Sequence, residues 1–263
     1  MALRLLVAHS AGERDAARRV EADVFLQAFG NTPAVMEQEY GPYEDRSRFV
    51  AVVDDESGRA LGAIRLIPAG PAPVKTLADV AGEPWHLPVA DSLATIDLTP
   101  EAVWDVASLA VDPRYRTGAA GAEITLALCH GVWRYATGTG VHGLVTILDD
   151  RVLRVLRVLG LPWRPMAGAS SRPYLGSPAS TPCVFDLRKA EVEVPAARPD
   201  LVPALDSGMF RSIVVDPVDL APTRGTVAPR ARPERSLPPR RDTTGWRPPT
   251  SRRTEASANP PPR

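Results

Sequence analysis

Lysine is almost missing from these 263 residues: Lys75 and Lys189 stand alone, and arginine supplies the rest of the 31 basic side chains. Such a skew reads as composition bias before it reads as phosphate recognition. Cysteine is as scarce, since Cys129 and Cys183 are too few for a disulfide framework or a zinc site and suit a reducing compartment. His130 and His142 come without an accompanying acid or cysteine pattern, so no metal is expected. No apolar run approaches the ~18 residues that a membrane span needs. The opening "MALRLLVAHSAGERD" lacks the charged start, long apolar core and cleavage site of a secretory signal, so a cytoplasmic protein is expected. Neither GxxxxGKS/T nor a GxGxxG followed by an acid occurs, which removes the P-loop and dinucleotide readings.

A net charge of zero hides an asymmetry. From Ala221 to Arg263 ten prolines and ten arginines accompany only Glu234, Asp242 and Glu255, so this stretch carries +7 and residues 1–220 carry −7. With almost nothing apolar to bury, 221–263 is expected to be a disordered Pro/Arg-rich tail. Basic tails can touch nucleic acid, an anionic surface or the body of their own protein, but a tolerated flexible extension is the plainer reading. At 44% hydrophobic, the chain can build one good core, expected over 1–190, with 191–220 an extension of unassigned structure.

Periodicity supplies the elements. Strand "LRLLVAH" precedes a helix opened by Ser10 and Glu13 as a capping box, turning Val20, Val24 and Phe25 inward and ending near Gly30. Residues 31–46 read as loop, 48–54 and 60–68 as a hairpin, and 69–100 as mostly irregular with a short helix at "KTLADV". A strand over 103–111, a helix over 120–137 with Ile124, Leu128, Val132 and Tyr135 on one face, a strand over 141–148, the helix "DDRVLRVLRVLG" and a strand over 181–187 follow. The order predicts an α/β (α+β) fold with a mixed sheet flanked by helices.

Between Trp104 and Leu128 a strand carrying Asp105 runs into the small-residue loop "RTGAAG" (Arg116, Thr117, Gly118, Ala119, Ala120, Gly121) and then a helix. The first N–H groups of a helix lack internal partners and carry partial positive charge, so a loop stripped of side chains lets a pyrophosphate approach them. "LAVDPRYRTGAAG" resembles the acyl-CoA motif of the GNAT acyltransferase superfamily, with Arg116, Ala119 and Gly121 matching its signature. Within that superfamily "VEADVF", "EYGPYEDRSRFVAV", "LGAIRLIP" and "WDVASLAVDPRYR" resemble, in order, the acyl-homoserine lactone synthases over residues 15–188.

The resemblance implies a GNAT-like, mostly antiparallel sheet and an acyltransferase using an acyl-CoA or acyl carrier protein thioester as cosubstrate. Val111 and Arg116 to Gly121 would hold the cofactor, and Asp105, Arg65 and Asp45 would form the catalytic group, with Phe25 matching an aromatic at the helix end. Three positions depart from the synthases: Ser108 stands for an arginine, Gly41 or Pro42 for an acid, and no tryptophan follows the first helix. The expected activity is acyl transfer to a small-molecule amine by direct attack. Lactone synthase-like autoinducer synthesis and a non-catalytic ligand-binding module are the alternatives.

Alternation places Asp105 on one strand face with Ala107, Leu109 and Val111, and neighbouring strands would let Arg65 meet it while Asp45 reaches in. A buried charge needs a partner, so a structural ion pair is as good a reading of these residues as a proton-accepting site. Arg151, Arg154 and Arg157 form a basic helix face suited to solvent, to coenzyme phosphates or to an acidic carrier protein. Cys129 reads as core, and Tyr135 or Tyr174 as a candidate proton donor to a leaving thiolate.

Overall fold

In the computed structural model, which describes residues 2–221, β1 (Leu3–Val7) leads into α1 (Ala11–Phe29). The capping box is formed: the Glu13 N–H donates to Ser10 Oγ at 3.2 Å and the Ser10 N–H to Glu13 Oε2 at 2.9 Å. The stretch expected as loop is helical instead, with α2 (Pro33–Tyr40) followed by a 3₁₀ turn (Gly41–Arg46). Thr32 caps α2, and Pro33 at its first turn carries the preset φ that a helix start accepts. Met36 and Tyr40, four apart, are the buried pair, too few to show a period.

Strands β2 (Arg48–Asp54) and β3 (Ala60–Ile67) form the expected hairpin, and α3 (Lys75–Ala81) and α4 (Val89–Ala94) interrupt the irregular stretch after it. Then come β4 (Val103–Val111), α5 (Gly118–Gly138), β5 (Gly143–Asp149), α6 (Asp150–Val158), β6 (Arg164–Pro165), β7 (Arg172–Tyr174) and β8 (Ser177–Asp186). The fold does not end near 190. Helices α7 (Leu187–Ala197) and α8 (Val202–Leu205) and strand β9 (Ile213–Val215), parallel to β1, bring Val194, Leu205 and Ile213 into the core. These apolar residues are too widely spaced to give a periodic signal. The expected tail from 222 onward lies outside the described residues.

One nine-stranded sheet runs β6-β8-β5-β4-β3-β2-β1-β9, with β7 beside β8. Among the described strands only β4–β5 and β1–β9 are parallel pairs, so the mixed sheet expected from the element order is what forms, mostly antiparallel as the resemblance implied. Helices α5 to α8 cover one face with the largest apolar cluster, in which Ile124, Leu128, Val132 and Tyr135 make the expected stripe. On the other face α1 lies over β2–β4, with α3 and α4 over the rest of the sheet. Small residues on both sides, Ala16 and Ala17 against Ala51, Ala63 and Ala110, let α1 approach closely. That closeness puts Glu21 against the strands. Among the described residues no helix is long and apolar enough to cross a membrane, and no cluster of three or more His, Cys, Asp or Glu could hold a metal ion.

Candidate active site

Strand β4 pairs with β5 only over Val103–Asp105. Past that point Thr146 Oγ donates to the Val106 carbonyl at 2.7 Å and the strands part. A bulge accompanies the parting: against β3, Arg65 pairs with Ser108 and Leu66 with Val106, leaving Ala107 unmatched. Its carbonyl accepts from the Tyr40 hydroxyl at 3.1 Å. The extra residue inverts the alternation, so Leu109 and Val111 join the α5-side cluster while Ala107 packs against the α3–α4 side. That corrects the expectation of one face shared by Asp105, Ala107, Leu109 and Val111, since a bulge leaves no mark in hydrophobic pattern. The Asp112 N–H donates to Leu61 of β3 at 2.9 Å, and alternation along an antiparallel strand then turns the N–H groups of Leu109 and Val111 toward the gap.

A cavity of about 130 Å³ occupies this gap. On the α5 side its wall is apolar, formed by Val132, Trp133, Leu156, Trp163, Phe185 and Leu187. Phe185 lies tilted at 5.0 Å from Trp163 and edge to face at 6.1 Å from Trp133, closing that end with rings. On the α1 side the wall is Phe25, Phe29, Tyr40, Ala107, Tyr174 and Leu175.

Arg65 does not meet Asp105. It is 4% exposed and donates to Glu21 through Nε at 3.0 Å and Nη2 at 2.6 Å, and to Glu44 at 2.7 Å. The Phe49 and Tyr40 rings lie 4.6 and 4.9 Å from its guanidinium. Ser108, on the cavity wall, donates to Glu21, and Arg18 holds Glu44 from outside. Desolvation opposes ionisation of Glu44, but the Arg65 and Arg18 hydrogen bonds prevail and hold its carboxyl below the usual range. Asp45, expected here, is exposed, because the 3₁₀ turn directs Glu44 inward instead.

Asp105 is fully enclosed. Its carboxylate accepts from the Thr76 N–H at 2.5 Å and the Thr76 hydroxyl at 2.8 Å, which caps the start of α3 from the neighbouring strand. The cavity wall passes through Val106 and Ala107 but not through Asp105. Burial pushes its pKa from the ordinary 3.8 up to about 7, against the pull of both Thr76 bonds. A carboxyl raised in the folded state stabilises the fold fully below about pH 4 and loses that contribution as pH rises through 7. Asp105→Asn is therefore expected to flatten the decline in urea midpoint between pH 5 and pH 8; an unchanged slope would contradict the burial argument.

Lys75, beside Thr76 on α3, completes a cluster that sequence reasoning did not identify. Its ammonium donates to Glu39 at 2.5 Å, Asp79 at 2.7 Å and the Tyr174 hydroxyl at 3.1 Å, between the Tyr40 and Tyr174 rings at 5.5 and 5.6 Å. Tyr174 in turn donates to Asp79, and desolvation first, then that carboxylate, push its pKa far up. Tyr135, the other tyrosine considered, is a core residue.

The small-residue loop lies just beyond β4. Val111 packs on the α5 side, Arg116, Thr117, Gly118, Ala119 and Ala120 are exposed, and Gly121 is buried. Thr117 precedes α5 without a side-chain cap, so the first α5 amides have no side-chain acceptor there. A Cβ on Gly121 would lie 2.4 Å from the Tyr115 carbonyl oxygen, which is why only glycine fits. Cys129 is half-buried, packed against the core cluster and on the cavity wall, and desolvation pushes its thiol up to about 12. On α6, Arg154 and Arg157 face solvent, Arg151 clamps Asp149, and Val155 is exposed.

No protein-family model matches the chain, and no curated protein matches it in sequence. Among solved structures it is similar to FeeM, an N-acyl amino acid synthase from uncultured soil microbes, at 15% identity and a TM-score of 0.56, over 74% of this chain and 97% of that one. The two chains share a fold, here a mixed, mostly antiparallel sheet flanked by helices. The CoA-dependent acyl-homoserine lactone synthase BjaI aligns at 16% identity and a TM-score of 0.47, over 82% of this chain and 93% of that one. The acyl-homoserine lactone synthase LasI aligns at 14% and 0.48, over 80% and 96%. In this fold the parted strands, the cavity and the loop at the start of α5 lie along a single strand, β4, and just beyond it.

Proposed function

We propose that the chain is an N-acyltransferase that passes an acyl group from a phosphopantetheine thioester, on coenzyme A or on an acyl carrier protein, to a small-molecule amine. The observation that carries this is the gap where β4 leaves β5, with the Leu109 and Val111 N–H groups facing it and the α5 start a few residues on. A pantetheine arm is an extended chain of amides, and it matches a free strand edge as an added strand does. Its phosphates would meet Arg116 and the backbone from Thr117 to Gly121, and its acyl chain the apolar wall under α5 and α6.

The chemistry is direct attack. The amine nitrogen bonds to the carbonyl carbon, the C–S bond breaks, and of the ammonium's two displaced protons one goes to the departing thiolate. The other leaves through the wall, where Tyr174 donates to Asp79 and Ser108 to Glu21, hydroxyl and carboxylate pairs that can pass a proton on. Asp105 acts indirectly in this scheme: it holds α3, which carries Lys75 and Asp79 to Tyr174. Arg65 keeps Glu21 in place, and Asp45 has no part. An acidic carrier protein would dock on Arg151, Arg154 and Arg157.

The test is free-thiol release by the full chain from acyl-CoAs of two to twelve carbons and from acyl carrier protein thioesters, with and without a pool of primary amines. Amine-dependent release supports the proposal and identifies the carrier; binding without release points to a ligand-binding module; neither with any donor contradicts it. Trp163→Ala removes part of the ring wall and is expected to move the preferred acyl group to longer chains, each added buried methylene being worth about 0.8 kcal/mol. An unmoved optimum would place the chain elsewhere.

A further inference from the structure

We infer that the acceptor is a cationic amine that carries no carboxylate, an arylalkyl- or alkylamine rather than an amino acid. This rests on the acyl-transfer reading of the cavity. The apolar α5-side wall suits the acyl chain, which leaves the α1 side for the acceptor. There the rings of Phe25, Phe29, Tyr40 and Tyr174 form the surface, and ring faces attract ammonium groups.

The polar groups of the wall point the same way. Of the six hydroxyl-bearing residues on it, Tyr174, Ser108 and Ser177 donate to carboxylates, respectively Asp79, Glu21 and Asp149, and Tyr40 and Thr146 donate to backbone carbonyls. A hydroxyl whose proton is so committed offers the cavity only lone pairs. It can accept from an ammonium, and it has nothing to give a carboxylate. Among the described residues that line the cavity there is no lysine, arginine or histidine.

The charges behind the wall agree. Glu21, Glu39, Glu44, Asp79 and Asp149 surround it, against two buried cations, and each of those is already held by two acids: Arg65 by Glu21 and Glu44, Lys75 by Glu39 and Asp79. The remaining partners, Arg18 and Arg151, are 38% and 67% exposed. Entering this site costs a carboxylate both its hydration and repulsion, with no cationic side chain on the wall in return. An ammonium meets the opposite balance.

The experiment uses the full chain, decanoyl-CoA as donor, and three acceptors that share one scaffold: tyramine, tyrosine and tyrosine methyl ester. Turnover with tyramine and with the ester is expected to exceed that with tyrosine by about 100-fold or more in kcat/KM, the scale set by like-charge juxtaposition. Recovery with the ester identifies the carboxylate's charge, not its bulk, as the cause. Binding of the three amines to protein loaded with a non-reactive decanoyl thioether of coenzyme A gives the same order independently of turnover. Tyrosine equal to or better than tyramine in either measurement overturns the inference, as does binding of none of the three to donor-loaded protein. Failure of the donor to bind strikes the acyl-transfer reading itself, and the three amines titrated without donor still report the preference.

Discussion

Glu21→Leu is expected to destabilise the chain by about 3–5 kcal/mol, because removing one member of a buried ion pair leaves the other charge uncompensated. Arg65 would keep a single carboxylate contact, to Glu44 at 2.7 Å, and the Ser47 hydroxyl at 3.1 Å. The double variant Glu21→Leu with Arg65→Met is expected to regain most of that loss, since packed apolar residues replace a buried pair at little cost. Denaturant midpoints of the three proteins decide it. A single variant no worse than the double would mean that Arg65 finds another partner.

Gly121→Val is expected to lower the affinity for decanoyl-CoA by about 100-fold or more, the loss of roughly two hydrogen bonds to a charged group. The new side chain cannot be absorbed by rotation, because its first atom would sit 2.4 Å from one backbone atom and 2.5 Å from another. The loop must shift, and the α5 amides shift with it. Near-normal affinity in a folded Gly121→Val protein would mean that the phosphates bind somewhere other than the α5 start.

Elements with a sustained period or a cap were legible in advance: the Ser10 and Glu13 box, the hairpin of β2 and β3, and the stripe of α5. Short helices such as α2 were not, since one turn of buried Met36 and Tyr40 does not establish a period. At the site, the small-residue loop and the burial of Asp105 and Arg65 were legible, but their partners were not. Glu21 was the missed signal: it lies on the face of α1 that buries Ala17, Val20 and Val24, where a lone acid must have a cation opposite. Lys75 was another, a lysine kept in an arginine-rich chain with Asp79 four residues on. Which of Glu44 and Asp45 turns inward depends on the phase of a 3₁₀ turn, and the bulge at Ala107 sets which β4 residues face the gap. Both are tertiary outcomes with no period in the sequence.

The most direct measurement is isothermal titration of the full chain with coenzyme A, acetyl-CoA and decanoyl-CoA. If the gap between β4 and β5 holds a pantetheine arm and the cavity its acyl chain, all three bind at one site per chain and decanoyl-CoA binds tightest, by roughly fourfold for each methylene that is buried. Equal affinity for the acetyl and decanoyl thioesters, or no saturable binding of any, would contradict that placement of the donor.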